Sequence, residues 1–394
     1  MSVAVSYLFF FCLFLVFYTY IGYGIILWIA VKIKERFIPP KAPALPEVLP
    51  EVTLFITAYN EENVVDVKMK NSVSLDYPED KLKIYWITDG SSDKTNENLA
   101  KYPDVTVLFE PQRRGKTAAI NRGMKSVTTP VVVFTDANTL INKEAVKEIV
   151  KAFTDPRTGC VAGEKRISVK EKDTASSGGE GAYWQYESAL KDLDSRLYSA
   201  VGAAGELFAI RTSLFEKMPE DTLLDDFILS LRIAGKGYRI AYCKNAYAME
   251  SASLNMKEEE KRKVRIAAGG IQAIWRLHPL LNIFRYGCLA FQFISHRVLR
   301  WTITPIALFL LMPLNIALLV LQVTPVWVYQ LFAAGQIVFY LTALIGWYLA
   351  HHSIKTKLLF IPYYFLFMNF NVFKGMAYLK KFKGNAVWEK AERL

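Results

Sequence analysis

The feature that most constrains this chain is an apolar run at residues 131–134 that stops abruptly at Thr135-Asp136-Ala137-Asn138. A short continuous apolar run reads as a strand buried on both faces, the kind found in parallel sheets covered by helices. In open sheets of that type, ligands bind beyond the carboxyl ends of the strands. Two oxygen ligands with one residue between them, Asp136 and Asn138, suit a hard divalent cation holding a diphosphate. The pattern recurs, because residues 84–88 run into Asp89-Gly90-Ser91-Ser92-Asp93 and residues 52–57 into Ala58-Tyr59-Asn60-Glu61-Glu62. Three strand-like runs therefore deliver polar groups to one rim.

The flanks of this region are not those of a soluble domain. Residues 3–31 hold 29 positions without Asp, Glu, Lys or Arg, and about 20 apolar residues span a bilayer core. With no basic leader and no A-x-A-like exit, the stretch reads as a retained anchor rather than a cleaved signal peptide. Lys32, Lys34, Arg36 and Lys41 follow it directly, so the positive-inside rule places the next domain in the cytoplasm. Pro39, Pro40, Pro43 and Pro46 predict a stiff linker. Residues 303–322 and 326–350 read as two more spans joined by the uncharged turn Val323-Thr324-Pro325, with the basic segment 351–357 on the inner side. Residues 358–379 contain Asn369, Asn371 and Lys374 and precede Lys380, Lys381, Lys383, Lys390 and Arg393. Either this segment spans with its polar groups facing protein, or it lies in or re-enters the interface; the charge rule favours the second.

The formal net charge of +11 follows from basic residues flanking membrane segments. No basic face with interleaved aromatics points to nucleic acid. Cys12, Cys160, Cys243 and Cys288 lack C-x-x-C spacing and imply neither a zinc site nor a disulfide framework. The domains expected are an anchor at 1–36, a Pro-rich linker at 37–49, a catalytic domain at 50–250, basic and interfacial helices at 251–302, membrane segments at 303–379 and a basic tail at 380–394.

Within the middle domain, apolar runs alternate with helical patterns at 61–75, 116–126 and 143–153, which predicts βαβ units and a mostly parallel sheet. The polar stretch 170–181, with Ser176-Ser177-Gly178-Gly179, is expected to be a mobile loop. Gly115-Lys116-Thr117 is no P-loop, since the glycine required five positions earlier is Glu110. Its basic turn can still hold phosphate, or form a solvated loop. Asp225-Asp226 opens a helix that Gly235 closes. One carboxylate there serves as an N-cap; two exceed that need, and a carboxylate beside another negative group gains the proton affinity of a general base. Gly202-Ala203-Ala204-Gly205-Glu206 lets a ligand approach the backbone closely, assigning Gly205 and Glu206 to an acceptor, although a tight crossover explains the run equally well. The cations of 261–265 form a solvated helix face or neutralise a leaving diphosphate. Residues 278–302 mix basic and aromatic residues as a helix at the membrane surface does.

In this order the motifs resemble the membrane-bound glycosyltransferases of family 2, from the anchor to Val387-Trp388-Glu389-Lys390. The resemblance implies a GT-A fold, an α/β Rossmann-like, mostly parallel sheet, with α-helical transmembrane segments at both ends. Residues 57–62 are similar to the first nucleotide-binding strand end and residues 88–95 to the second, which implies that Thr57, Tyr59, Glu61 and Asp89 hold the nucleotide. It further implies Lys116 on the phosphates, and Asp136 with Asn138 on Mg²⁺ or Mn²⁺, Asn138 replacing the second Asp of D-x-D. Residues 225–232 match E-D-x-x-L-x-x-R, making Asp226 the catalytic base beside Asp225. Residues 262–270 align with the Q-x-x-R-W region of processive synthases; Arg265 is kept, whereas Arg262 replaces the glutamine and Ile266 the tryptophan. Arg262 and Arg265 are expected on the diphosphate.

The expected protein is a multi-pass inverting transferase of a bacterial inner membrane, its catalytic domain cytoplasmic. It would move sugar from a nucleotide-diphosphate sugar, UDP-linked in the favoured reading, to a lipid-linked or glycan acceptor. A processive synthase of a β-linked polymer and an inactive nucleotide-sugar-binding partner of an export complex are the alternatives. Ile266 speaks against the first, and intact Asp136 and Asp226 against the second.

Overall fold

The computed structural model describes residues 2–40, 43–168, 175–251, 253–352 and 357–382. Among these, the strands in chain order are β1 Val52–Ala58, β2 Leu82–Asp89, β3 Thr106–Glu110, β4 Val131–Asp136, β5 Leu140–Ile141, β6 Thr158–Ser168, β7 Leu207–Arg211 and β8 Arg239–Ser251. They form a sheet in the order β3-β2-β1-β4-β7-β6-β8-β5. The pairs β1/β2, β1/β4, β2/β3 and β6/β8 are parallel, while β7 runs antiparallel to both β4 and β6.

Side-chain alternation puts Val52, Leu54 and Ile56 on one face of β1 and Phe55 on the other, and all four are fully buried. Helices Val65–Val73, Thr95–Leu99 and Ala145–Ala152 cover the first face. Helices Lys116–Gly123 and Asp225–Gly235, with the end of Met256–Arg276, cover the second. This is the doubly covered, Rossmann-like sheet that the continuous apolar runs predict.

Ser2–Phe37, Ile303–Val320 and Val326–His351 are long and apolar enough to cross a membrane. Phe9, Cys12 and Leu15 of the first pack against Ala307, Leu311 and Leu318 of the second. The last described helix, Lys357–Lys381, lies along Val326–His351 and Met256–Arg276, and its Lys374 pairs with Glu260. Of the basic segments at the chain's end, residues 353–356 and 383–394 lie outside the described residues.

One expectation needs correction. Residues 175–181, read above as mobile loop, begin the 23-residue helix Ala175–Leu197, while 169–174 lie outside the described residues. Ser and Gly are poor helix formers, but the same helix carries Tyr186, Leu190, Leu193 and Leu197 at helical spacing, packed against Tyr23 and Leu27 of the N-terminal helix. Tertiary burial outweighs local propensity. Polar contacts tighten this junction. The Tyr23 hydroxyl donates to Asp194 Oδ1 at 2.5 Å, Lys34 Nζ donates to the Arg196 and Leu197 carbonyls at 2.6 and 2.8 Å, and Arg196 grips Glu35 with two bonds of 2.8 and 2.7 Å. A lysine on the last carbonyls of a helix satisfies acceptors that have no partner within it.

Candidate active site

Strand register brings the predicted residues together. Thr57 of β1 lies opposite Asp136 of β4, and Ala58 opposite Thr88, so Tyr59, Asp89 and Asp136 share one rim. The antiparallel entry of β7 pairs Leu207 with Thr135, which delivers the preceding Gly205 and Glu206 to that rim. The parallel pair β6/β8 brings Lys165 and Glu250 there too. The rim opens on a cavity of about 370 Å³ lined by Thr57, Tyr59, Glu61, Asp89, Lys116, Asp136, Asn138, Gly205, Glu206, Asp225, Asp226, Glu250, Arg262 and Arg265, with Lys165 buried behind Glu206 and Glu250.

The turn beyond β2 is organised by backbone donors. Asp89 Oδ2 accepts from Arg114 N at 3.0 Å and Gly115 N at 2.6 Å, which positions Lys116 at the start of its helix. Gly90 sits at φ 68°, and a Cβ there would come within 2.5 Å of the Arg113 backbone. The Arg113 guanidinium lies 3.6 Å over the Tyr59 ring. The β1 and β2 ends are laced together by Glu61 N to Thr95 Oγ1 at 2.8 Å and Glu62 N to Asp93 Oδ2 at 3.0 Å.

At the centre, Lys116 Nζ donates to Asp136 Oδ1 at 2.6 Å and stands 4.0 Å from Asp225 Oδ2. Burial works against its charge, yet Asp136 and Asp225 hold the ammonium above its usual range. Burial pushes the Asp226 carboxyl up, to about 7; the Asp225 charge adds to this and Lys116 opposes it. A Cβ on Gly205 would meet Lys116 Nζ at 3.1 Å and Asp226 Oδ2 at 3.6 Å, so the glycine leaves the space between the Asp226 carboxylate and the Lys116 cation open. Beneath the rim, fully buried Lys68 donates to Thr135 Oγ1 at 3.0 Å and the Thr139 carbonyl at 2.7 Å, bracing the Asp136–Thr139 turn. Burial lowers its pKa to about 7, against the pull of Asp136.

The segment before Asp225 is held from both sides. Thr117 Oγ1 donates to the Thr222 carbonyl at 3.1 Å, and Leu223 N donates to Gln272 Oε1 at 3.0 Å. Gly202, at φ 87°, packs so closely on Phe227 that a Cβ would lie 2.2 Å from its ring. Gly202→Ala is therefore expected to destabilise the protein by about 1–3 kcal/mol through overpacking and a disfavoured backbone. Thermal unfolding in detergent is the check; an unchanged midpoint would mean that Phe227 relaxes freely.

Some predicted residues are already engaged. Arg262 donates twice to Glu259 at 2.9 Å, and Glu206 accepts from Lys165, which also contacts Glu250. Arg265 differs: its Nε, like Asp89 Oδ1, Asp225 Oδ2 and Trp184 Nε1, is buried without a hydrogen-bond partner among the described residues. Buried polar atoms are ordinarily paired; Asp89 Oδ1 and Asp225 Oδ2 each face a cation, Arg122 at 3.7 Å and Lys116 at 4.0 Å, so the Arg265 and Trp184 nitrogens mark where a polar ligand belongs. The helix Ala175–Leu197 supplies a wall that the sequence reading missed, with Tyr183, Trp184, Glu187 and Lys191. Glu187 accepts from Arg297 and, at 3.1 Å, from Arg300, which ties this wall to residues 288–301. The helical spacing of Tyr186, Leu190, Leu193 and Leu197 was the available signal.

No group of three or more His, Cys, Asp or Glu side chains capable of caging a metal occurs among the described residues. Asp136 and Asn138 still fit one that is completed by phosphate oxygens, since Mg²⁺ and Mn²⁺ sites on diphosphates commonly use one or two protein oxygens.

Residues 50–269 match the family described as "Glycosyltransferase like family 2". A probable glycosyltransferase, YdaM, of Bacillus subtilis (strain 168) is 29% identical over 257 residues, 60% of this chain and 58% of that protein. A poly-beta-1,6-N-acetyl-D-glucosamine synthase of Staphylococcus aureus (strain MSSA476) is 28% identical over 237 residues, 57% of this chain and 56% of that protein. The match thus spans a little over half the length of these relatives. The solved structure of the mannosyltransferase PcManGT from Pyrobaculum calidifontis, in complex with GDP-Man and Mn2+, has a TM-score of 0.70 at 21% identity, covering 95% of this chain and 99% of that one. That likeness shows a shared GT-A fold. Since the matched segment holds every strand end that builds the cavity, the chain belongs to glycosyltransferase family 2.

Proposed function

We propose that the protein transfers a sugar, with inversion, from a nucleotide-diphosphate donor to a hydroxyl of a membrane-proximal lipid-linked or glycan acceptor. The observation that carries this reading is Asp226, a carboxylate with raised proton affinity, opposite Lys116 across Gly205 in the same cavity as Asp89, Asp136 and Arg265. A base whose pKa lies near working pH is matched to taking a proton from an attacking hydroxyl. Asp226 accepts that proton as the acceptor oxygen bonds to the anomeric carbon, and the bond to the diphosphate breaks on the opposite face. Lys116 and Arg265 stabilise the charge that develops on the departing diphosphate, with Arg262 behind them, and such preorganised charges lower a barrier most. Thr57, Tyr59, Glu61 and Asp89 hold the nucleoside. A divalent Mg²⁺ or Mn²⁺ on Asp136 and Asn138 would supply charge neutralisation to the diphosphate.

A UDP sugar carrying a hexose or N-acetylhexosamine is the proposed donor, and the cytoplasmic face of a bacterial inner membrane the proposed place, with several crossings. The synthase relatives favour a polymerising version of the same chemistry. Ile266 offers no flat face for stacking an acceptor sugar as a tryptophan would, so single additions are the favoured outcome. The test is release of free nucleotide diphosphate by the protein in lipid across UDP, GDP and dTDP sugars. Turnover with one donor is expected. Failure to bind any of them by calorimetry would sink the proposal.

A further inference from the structure

A second cavity of about 300 Å³ opens beside the first, and the two share Tyr183, Lys263, Ile266 and Trp301. Its far wall comes from Tyr20 of the membrane-length N-terminal helix and from Ile361, Phe365 and Met368 of Lys357–Lys381. The side chains lining it include two cations, Lys263 and Arg300, and no carboxylate. Glu259 and Glu187 pair with these cations from outside the lining, at 3.6 Å and 3.1 Å. Lys263 Nζ also stands 4.1 Å over the Tyr183 ring, and the Arg300 guanidinium 5.3 Å over Tyr186. Lys263 thus stands at the throat and Arg300 farther in, 5.7 Å over the Tyr20 ring, while the helix side is mostly apolar, its polar groups being the Tyr20 hydroxyl, which donates to Asn369 at 2.6 Å, and Tyr364. Ile266, where the resembling polymerases carry a tryptophan, lines both cavities.

We propose that this annex binds the junction of a phosphate-linked lipid acceptor, its anionic phosphate at Lys263 and Arg300, its chain leaving between Tyr20 and Met368, and its sugar hydroxyl reaching Asp226. The inference rests on the transferase reading above and names its acceptor class. An anion at the throat gains charge-assisted hydrogen bonds in a site shielded from water, while the apolar chain stays between membrane-facing helices. The aliphatic groups Ile361, Met368 and Val372 give a lipid chain contacts that a glycan has no use for.

The test uses the full-length protein in nanodiscs and a photoactivatable long-chain isoprenyl phosphate, with crosslinks read by mass spectrometry. Labelling is expected around Met368 and Phe365, competed by unlabelled isoprenyl phosphate but not by the corresponding alcohol or inorganic phosphate. Met368→Trp should lower it at least about tenfold, the effect of overfilling a packed site. Ile361→Trp, at a half-exposed position that tolerates bulk, should act in the same direction. Leu341→Trp, on the outward face of Val326–His351, should leave labelling at the wild-type level. Labelling spread evenly over outward helix faces, or competed equally by the alcohol, would overturn the assignment. Nucleotide binding, measured alongside, separates the two readings. Donor binding and transfer to a soluble glycan without annex labelling reject the annex alone, whereas annex labelling without donor binding rejects the transferase reading.

Discussion

Replacing Asp226 by Asn is expected to lower sugar transfer by about 10²–10⁴-fold while donor binding persists, because a positioned base contributes that much of the rate. The wild-type protein should show kcat/KM for the acceptor rising with pH through about 7, where the raised Asp226 carboxyl ionises, and Asp226→Asn should abolish that limb. A stability effect of opposite sign accompanies it. The folded-state pKa of Asp226 lies above its unfolded value, so its contribution to stability is fully present below about 4 and is lost as pH rises through about 7. At pH 8, Asp226→Asn is therefore expected to unfold at a higher temperature than the wild type while being nearly inactive. Wild-type turnover in this variant would remove Asp226 from the chemistry; a lowered midpoint would mean that its charge is stabilised in a way the burial argument does not include.

Chelation of divalent cations is expected to abolish nucleotide release, with recovery on adding Mg²⁺ or Mn²⁺, and Asp136→Ala should lower turnover by at least about 10²-fold. The two losses differ in kind. Chelation leaves Lys116 held by Asp136, whereas Asp136→Ala removes a partner that holds Lys116 at 2.6 Å. The variant should therefore stay impaired at saturating metal, and calorimetry should show weaker donor binding. Full turnover in excess chelator would sink the metal assignment and leave Lys116 and Arg265 as the charges acting on the diphosphate.

The carboxyl-end rim was legible in the sequence because a buried parallel strand writes itself as an unbroken apolar run, and each of the three runs stops where its polar residues begin. Register then does what local pattern cannot. Gly205 and Glu206 meet Asp136 because β7 enters antiparallel beside β4, a pairing between residues some seventy positions apart. The helix carrying Tyr183 and Trp184 was missed for the opposite reason, since its first turns, within the stretch 170–181 expected as loop, are rich in Ser and Gly and it is sustained by leucines packed on the distant N-terminal helix. The engagement of Arg262 with Glu259 and of Glu206 with Lys165 was also beyond sequence. Residue types and spacing name the groups that reach a cavity, but not which of them already answer to a neighbour.

The junction between the N-terminal helix and Ala175–Leu197 changes what counts as the catalytic unit. Tyr23, Lys34 and Glu35 fasten the same helix whose other face carries Trp184 and Glu187 into the cavity. A fragment cut before β1 would strip cover from Leu190 and take one donor from Asp194. The depth at which the first helix sits in its surroundings is thereby coupled to the position of a cavity wall. A helix long and apolar enough to cross a membrane is thus built into the support of the pocket, so Ser2–Phe37 belongs to the same packing unit as the cavity wall.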